Sequence, residues 1–209
     1  MPDFLIEGPA GAKVTLLLAH GAGAAMDSAW MNDMTKRLVA AGIRVARFEF
    51  GYMAARRQGE RKPPPRGESL KGEYSAAVEG LKVKGTLIIG GKSLGGRVAS
   101  MVAEELFEAG SIGGVVCLGY PFHPPGQLQN LRTAHLGALR LPVLICQGTR
   151  DPFGTREEVP EYPLSTTTRV HWLEDGDHDF RPRKAVSGRT MAQNLDEAAS
   201  AIADFVAAL

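Results

Sequence analysis

The sequence predicts an α/β fold: a mostly parallel sheet of about six or seven strands, with helices on both faces and no cap domain. Short apolar runs alternate with amphipathic stretches along the whole chain, the pattern of repeated strand–helix units. Several of those runs are nearly continuous in Val, Ile and Leu, which suits strands covered on both faces. A length of 209 residues fits one domain, 1–209, with a substantial single core.

The elements follow in order. Phe4–Glu7 reads as a weak strand at a sheet edge. Val14–Ala19 and Ile43–Phe50 read as strands, and between them Ala29–Ala41 reads as a helix. Its apolar positions Trp30, Met34, Leu38 and Ala41 recur at helical spacing, and Gly42 follows as a C-terminal stop. Arg56–Gly67, rich in Arg, Lys and Pro, reads as a loop; Pro63, Pro64 and Pro65 exclude a helix there. Leu70, Tyr74, Val78 and Leu81 mark a second helix. Thr86–Ile89 is a strand, and Leu94, Val98, Val102 and Leu106 mark the helix after it. Gly114–Leu118, Val143–Gln147 and Arg169–Leu173 complete the strands. A last helix runs from about Met191 to the C-terminus, where Thr190 and Gln193 have capping-box spacing.

Composition narrows the function classes. The net charge is +1, which gives no reason to expect nucleic acid as a partner. No basic leader is visible, and the longest apolar run is too short to span a membrane, so a soluble, cytoplasmic protein without a membrane partner is expected. Cys117 and Cys146 each lie in an apolar run, which favours buried free thiols over a disulfide. The histidines lack metal-ligand spacing, so neither a metal nor a cofactor is expected. The sequence leaves the oligomeric state open.

The chemistry concentrates at three strand ends. Gly91-Lys92-Ser93-Leu94-Gly95 is weak evidence by itself in a chain with 25 glycines. Its position decides: a strand precedes it and a helix follows, where a nucleophile elbow must lie. Such a turn strains the serine backbone, tolerates only small neighbours, and aims a helix N-terminus at a reacting carbonyl. A serine hydroxyl needs a base, and the base needs an acid to fix its tautomer. Asp151 follows the strand Val143–Gln147 and is the candidate acid. His178 follows the strand Arg169–Leu173 and is the candidate base. Asp175, Asp177 and Asp179 are alternative acids, ranked lower because they are too close in sequence to reach the far ring nitrogen. The oxyanion donors are expected to be the backbone N–H groups of Leu94 and Ala22, the latter in the loop His20-Gly21-Ala22-Gly23. His20 reads as a structural residue of that loop.

With these motifs the chain resembles the α/β-hydrolase superfamily along nearly its whole length. More narrowly it resembles the compact dienelactone-hydrolase-like group. Within that group it is similar to the branch containing testis-expressed and NSL-complex-subunit-like proteins. The residues that carry the resemblance are His20–Gly23, Gly90–Arg97, Gln147–Gly154 and Asp177–Phe180. It implies a Ser93–Asp151–His178 triad with an oxyanion hole at Ala22 and Leu94. Dienelactone hydrolases themselves use Cys where this chain has Ser93.

The segment between Gly119 and Leu141 is too short for a lid, so an open site and a small or extended acyl substrate are expected. Basic residues gather on predicted site-side loops: Arg56, Arg57, Arg61, Lys62, Arg66, Lys92, Arg181, Arg183 and Lys184. They fit either a solvated surface or attraction for a carboxylate or phosphate on the substrate, with Lys92, Arg57 and Arg181 as candidate contacts. The leading function is a carboxylesterase or thioesterase working through an acyl-enzyme. The alternatives are a small peptidase or amidase on the same triad, and a non-catalytic protein-interaction module that retains the fold.

Overall fold

The computed structural model describes residues 3–60 and 62–209. Arg61, one of the basic residues expected near the site, lies outside the described residues. The elements are β1 (Phe4–Glu7), β2 (Val14–Ala19), α1 (Ala29–Ala40), β3 (Arg44–Phe48), α2 (Gly51–Arg57), α3 (Lys71–Gly80) and β4 (Thr86–Lys92). They continue with α4 (Leu94–Glu108), β5 (Gly114–Leu118), β6 (Val143–Gly148), β7 (Thr168–Leu173), α5 (Lys184–Ser187) and α6 (Met191–Ala207).

The strands form one seven-stranded sheet in the order β1-β3-β2-β4-β5-β6-β7. Among the described residues only the β1–β3 pairing is antiparallel. Successive side chains of a strand point to opposite faces, and the core divides accordingly. Leu17 and Ala19 of β2 face the layer holding Tyr74 and Val78 of α3 and Val98 and Val102 of α4. Leu16 and Leu18 face Met34 and Leu38 of α1 and Leu195 and Ile202 of α6. Both helix layers thus rest on continuous apolar surface. Ser28 caps α1 by accepting from Met31 N–H, and the Thr190/Gln193 capping box closes the start of α6. Cys117 and Cys146 are buried free thiols. No helix among the described residues is long and apolar enough to cross a membrane.

Two boundaries differ from the sequence reading. β4 runs on through Gly90 and Gly91 to Lys92, although glycines ordinarily weaken a strand. Sheet packing explains this, because a Cβ at Gly90 would meet Val116 O at 2.0 Å. Arg56 and Arg57, expected in a loop, form the last residues of α2. That helix has no side-chain cap and buries only Tyr52 and Met53, so no cap or periodic signal marks it in the sequence.

The chain leaves β2 towards β3 on one side and then crosses to β4 on the other, so the direction of progress reverses between β2 and β4. Loops leaving the C-terminal ends of these two strands diverge and open a crevice there, the usual location of a site in such sheets.

Candidate active site

Ser93 sits at the tip of β4, immediately before α4. Its backbone has φ 51° and ψ −113°, a left-handed conformation that costs a non-glycine residue energy. Ser93 N–H donates to Leu118 O at 2.9 Å, tying the turn to β5. The turn closes only because its flanks lack side chains. A Cβ on Gly91 would lie 2.5 Å from Ala19 O, and one on Gly95 would lie 2.4 Å from the same oxygen.

Three side chains from distant loops meet here. Ser93 Oγ lies 2.9 Å from His178 Nε2, and His178 Nδ1 lies 2.8 Å from Asp151 Oδ2. An ionised carboxylate only accepts, so Nδ1 carries the proton and donates to Asp151. The Nε2 lone pair then faces the serine O–H. Asp151 is fully buried, while the His178 side chain keeps 21% of its surface exposed. Asp151 Oδ1 accepts from Phe153 N–H at 2.9 Å. The Phe153 ring packs 4.3 Å from the imidazole.

Sequence reasoning missed the group that completes the carboxylate's surroundings. Buried Gln147, at the end of β6, donates from Nε2 to Asp151 Oδ2 at 3.0 Å. Its Oε1 accepts from Tyr120 N–H at 2.7 Å. Its only signal in the sequence is position, one polar residue ending an apolar strand just before the candidate acid.

The loop bearing His178 is fixed from several sides. Asp177 Oδ1 accepts from the N–H groups of Asp179 and Arg181, each at 2.9 Å. Buried Asn194 of α6 donates to Phe180 O at 2.9 Å. Asp175 is held by Arg183 and Arg150, and the Arg183 hydrogen bond pulls its carboxyl down to about 2. Asp175 and Asp177 are therefore committed to shaping the loop, and Asp179 pairs with Lys92 at 3.3 Å.

The loop after β2 is pinned as firmly. His20 Nδ1–H donates to Gly21 O at 2.7 Å, and Nε2 accepts from Phe50 N–H at 3.2 Å. Burial lowers the pKa of this imidazole, keeping it neutral. Tyr52 O–H donates to Ala22 O at 3.1 Å, and burial pushes that phenol up to about 12. Leu94 opens α4, where backbone N–H groups have no acceptor within the helix. Ala22 and Leu94 both line the cleft at Ser93.

The cleft has two limbs that share Ala22, Ser93 and Phe153. One, of about 330 Å³, runs past Trp30, Met31 and His178. The other, of about 530 Å³, runs between α4 and the Pro64–Glu68 segment.

The expected substrate contacts are distributed differently. Lys92 borders the smaller limb, but its ammonium donates to His178 O at 2.8 Å, pairs with Asp179, and lies 5.5 Å from the Trp30 ring centre. It is spent on holding the histidine loop. Arg57 is a correction: it points into a separate hollow, where Glu49 and Asp27 bind it and hold its pKa above the ordinary value. Arg181 is likewise exposed and lines neither limb. α2 and the His178 loop both follow the C-terminal ends of strands, but local acids and chain direction turn their cations away.

Residues 12–207 match the family described as Alpha/beta hydrolase domain. The chain belongs to that family. This alpha/beta hydrolase is also similar in fold to several solved structures. A dienelactone hydrolase from Anabaena variabilis is 18% identical with a TM-score of 0.71, covering 98% of this chain and 90% of that one. The esterase Est1E from Butyrivibrio proteoclasticus, solved with ferulic acid, is 12% identical with a TM-score of 0.70, covering 99% and 96%. A serine hydrolase without lid from Xanthomonas campestris is 17% identical with a TM-score of 0.62, covering 96% and 89%.

Proposed function

We propose that this alpha/beta hydrolase is a serine hydrolase that cleaves ester or thioester bonds through an acyl-enzyme, with Ser93, His178 and Asp151 as its triad. The observation that carries the reading is the continuous relay from Ser93 Oγ to His178 Nε2 at 2.9 Å and from Nδ1 to Asp151 at 2.8 Å. His178 takes the proton as Ser93 Oγ bonds to the substrate carbonyl carbon. Buried Asp151 stabilises the imidazolium and fixes its orientation. The oxygen that gains charge is met by the N–H groups of Ala22 and Leu94 and by the positive end of α4. Collapse of the intermediate breaks the bond to the leaving group, which receives the proton from His178. Water then repeats the sequence in reverse, releasing the acid and regenerating the Ser93 hydroxyl.

The open two-limbed cleft supports a small or extended acyl substrate reached without a lid. We place the chain in the branch with testis-expressed and NSL-complex-subunit-like proteins on its motif residues, and read residues 1–209 as one hydrolase domain.

The test is a fluorophosphonate probe combined with a panel of short p-nitrophenyl esters and thioesters. Covalent label is expected on Ser93, with labelling abolished in Ser93→Ala. The same variant should lose at least about a thousandfold in kcat. A folded wild-type protein that neither takes the label nor turns over any ester would defeat the proposal and favour a binding role for the fold.

A further inference from the structure

Resting on that reading, we infer that the larger limb of the cleft is a carboxylate-binding subsite, built by Arg132 with Arg97 and Arg66, and that the natural substrate carries a carboxylate on the arm entering it.

The lining of this limb is unbalanced in charge. Arg66, Arg97 and Arg132 face it together with a single acid, Glu68. Glu68 is matched to Arg97, which it binds at 2.5 Å. Among the described residues, Arg132 and Arg66 have no carboxylate within ion-pair distance. This contrasts with the basic residues first expected to meet substrate: Arg57 and Lys92 are both neutralised by neighbouring acids.

The backbone that carries Arg132 is fixed on both sides. Its backbone N–H donates to Phe122 O at 2.7 Å, and its carbonyl accepts from Tyr120 O–H at 2.9 Å. The segment that follows is locked to α4: Ser100 O–H donates to Arg97 O at 2.7 Å, so Ser100 Oγ accepts from His135 Nε2–H at 2.8 Å. The side chain of Arg132 is half-buried, and burial together with the charge of Arg97 lowers its pKa. Glu68 offsets the charge of Arg97 at Arg132 only in part, so a further anion would be favoured there.

Arg97 supplies an independent sign. Its Nε is buried and has no hydrogen-bond partner. A planar carboxylate matches the planar fork of Arg132, and hydrogen bonds of this charged type are about twice as strong as neutral ones.

Two matched pairs of esters test the subsite. Mono-p-nitrophenyl glutarate against p-nitrophenyl pentanoate places the carboxylate on the acyl side. 4-Acetoxybenzoate against 4-acetoxybenzamide places it on the leaving side. At low salt, kcat/KM is expected to favour the charged member of one pair by roughly tenfold or more, and the preference should shrink at high salt. In Arg132→Met the charged-to-neutral ratio should fall towards one, and Arg132→Lys should restore part of it. Taking the ratio within one preparation cancels any loss of folded protein. Arg66→Met, at an exposed position, should lower the ratio less. Calorimetric titration of Ser93→Ala with the same esters reads the preference without turnover. Turnover of all four esters with no preference for either charged member, or a preference that Arg132→Met leaves intact, overturns the subsite. Absence of turnover alongside tighter binding of a charged ester overturns the catalytic reading and leaves the subsite standing.

Discussion

Gln147 shows what a single side chain contributes to the proposed relay. Its Nε2 donates to the same Asp151 oxygen that receives the His178 proton. Gln147→Glu would replace that donor by a second carboxyl oxygen, and two like charges at hydrogen-bond distance cannot both ionise. A proton held between them leaves Asp151 unable to stabilise the imidazolium. The expected loss in kcat/KM is about 10- to 100-fold at pH 7, with partial recovery as pH rises and the shared proton leaves. A pH–rate profile superimposable on that of the wild type would remove Gln147 from this role. Residues differ in how far the sequence exposes them. Ser93, Asp151 and His178 are legible because each follows a recognisable strand, and parallel strands deliver their C-terminal loops to one edge. Gln147 and Arg132 are not, because the roles proposed for them depend on neighbours that only the folded chain brings together. Arg57 illustrates the converse: α2 follows β3 at the expected edge, yet Glu49 and Asp27 capture its guanidinium.

The β4–α4 junction is where element geometry and chemistry are the same problem. Ser93 can keep its left-handed backbone only if β2, β4 and α4 approach closely, and Gly95 is the contact point. An alanine there would set its Cβ 2.4 Å from Ala19 O and 2.7 Å from His20 O, both backbone atoms that cannot rotate aside. Gly95→Ala should therefore cost about 1–3 kcal/mol in urea unfolding. It should also slow ester turnover more than tenfold by displacing the 20–23 loop from Ser93. Unchanged unfolding midpoint and unchanged rate would mean the junction is softer than these distances imply. At this scale the sequence is most informative for elements with a periodic buried face. Apolar residues spaced by four mark α4 and the capping box marks α6. It is least informative for α2, whose seven residues have no side-chain cap, and for the glycines of β4, which resemble a strand terminator until β5 is seen beside them.

At the scale of the whole molecule, the sheet order gathers loops from β2, β4, β6 and β7 into one crevice. The general architecture and the edge position of β1 follow from composition and patterning. The order of strands does not, because it depends on which crossovers pack helices onto which face. The same convergence buries ionisable groups behind the site, and that links global stability to pH. His135, which ties the segment after Arg132 to α4, is drawn from the ordinary 6.5 down to about 4, chiefly by burial and then by the charge of Arg97. The unfolded chain binds this proton near the ordinary value, whereas the folded chain binds it only near 4. Stability is thus fully retained above about pH 6.5 and declines as pH falls through the interval down to 4, by on the order of 1–3 kcal/mol for this group. Asp175, whose carboxyl is depressed to about 2 by Arg183, acts in a lower window: its contribution is present above the ordinary 3.8 and is lost only as pH falls from there towards 2. His135→Gln retains a side-chain donor for Ser100 but cannot titrate. Urea unfolding at pH 7 and pH 4.5 should show a smaller drop in midpoint for that variant than for the wild type. Equal drops would mean that His135 is protonated in the folded state well above 4, with the Ser100 contact already open.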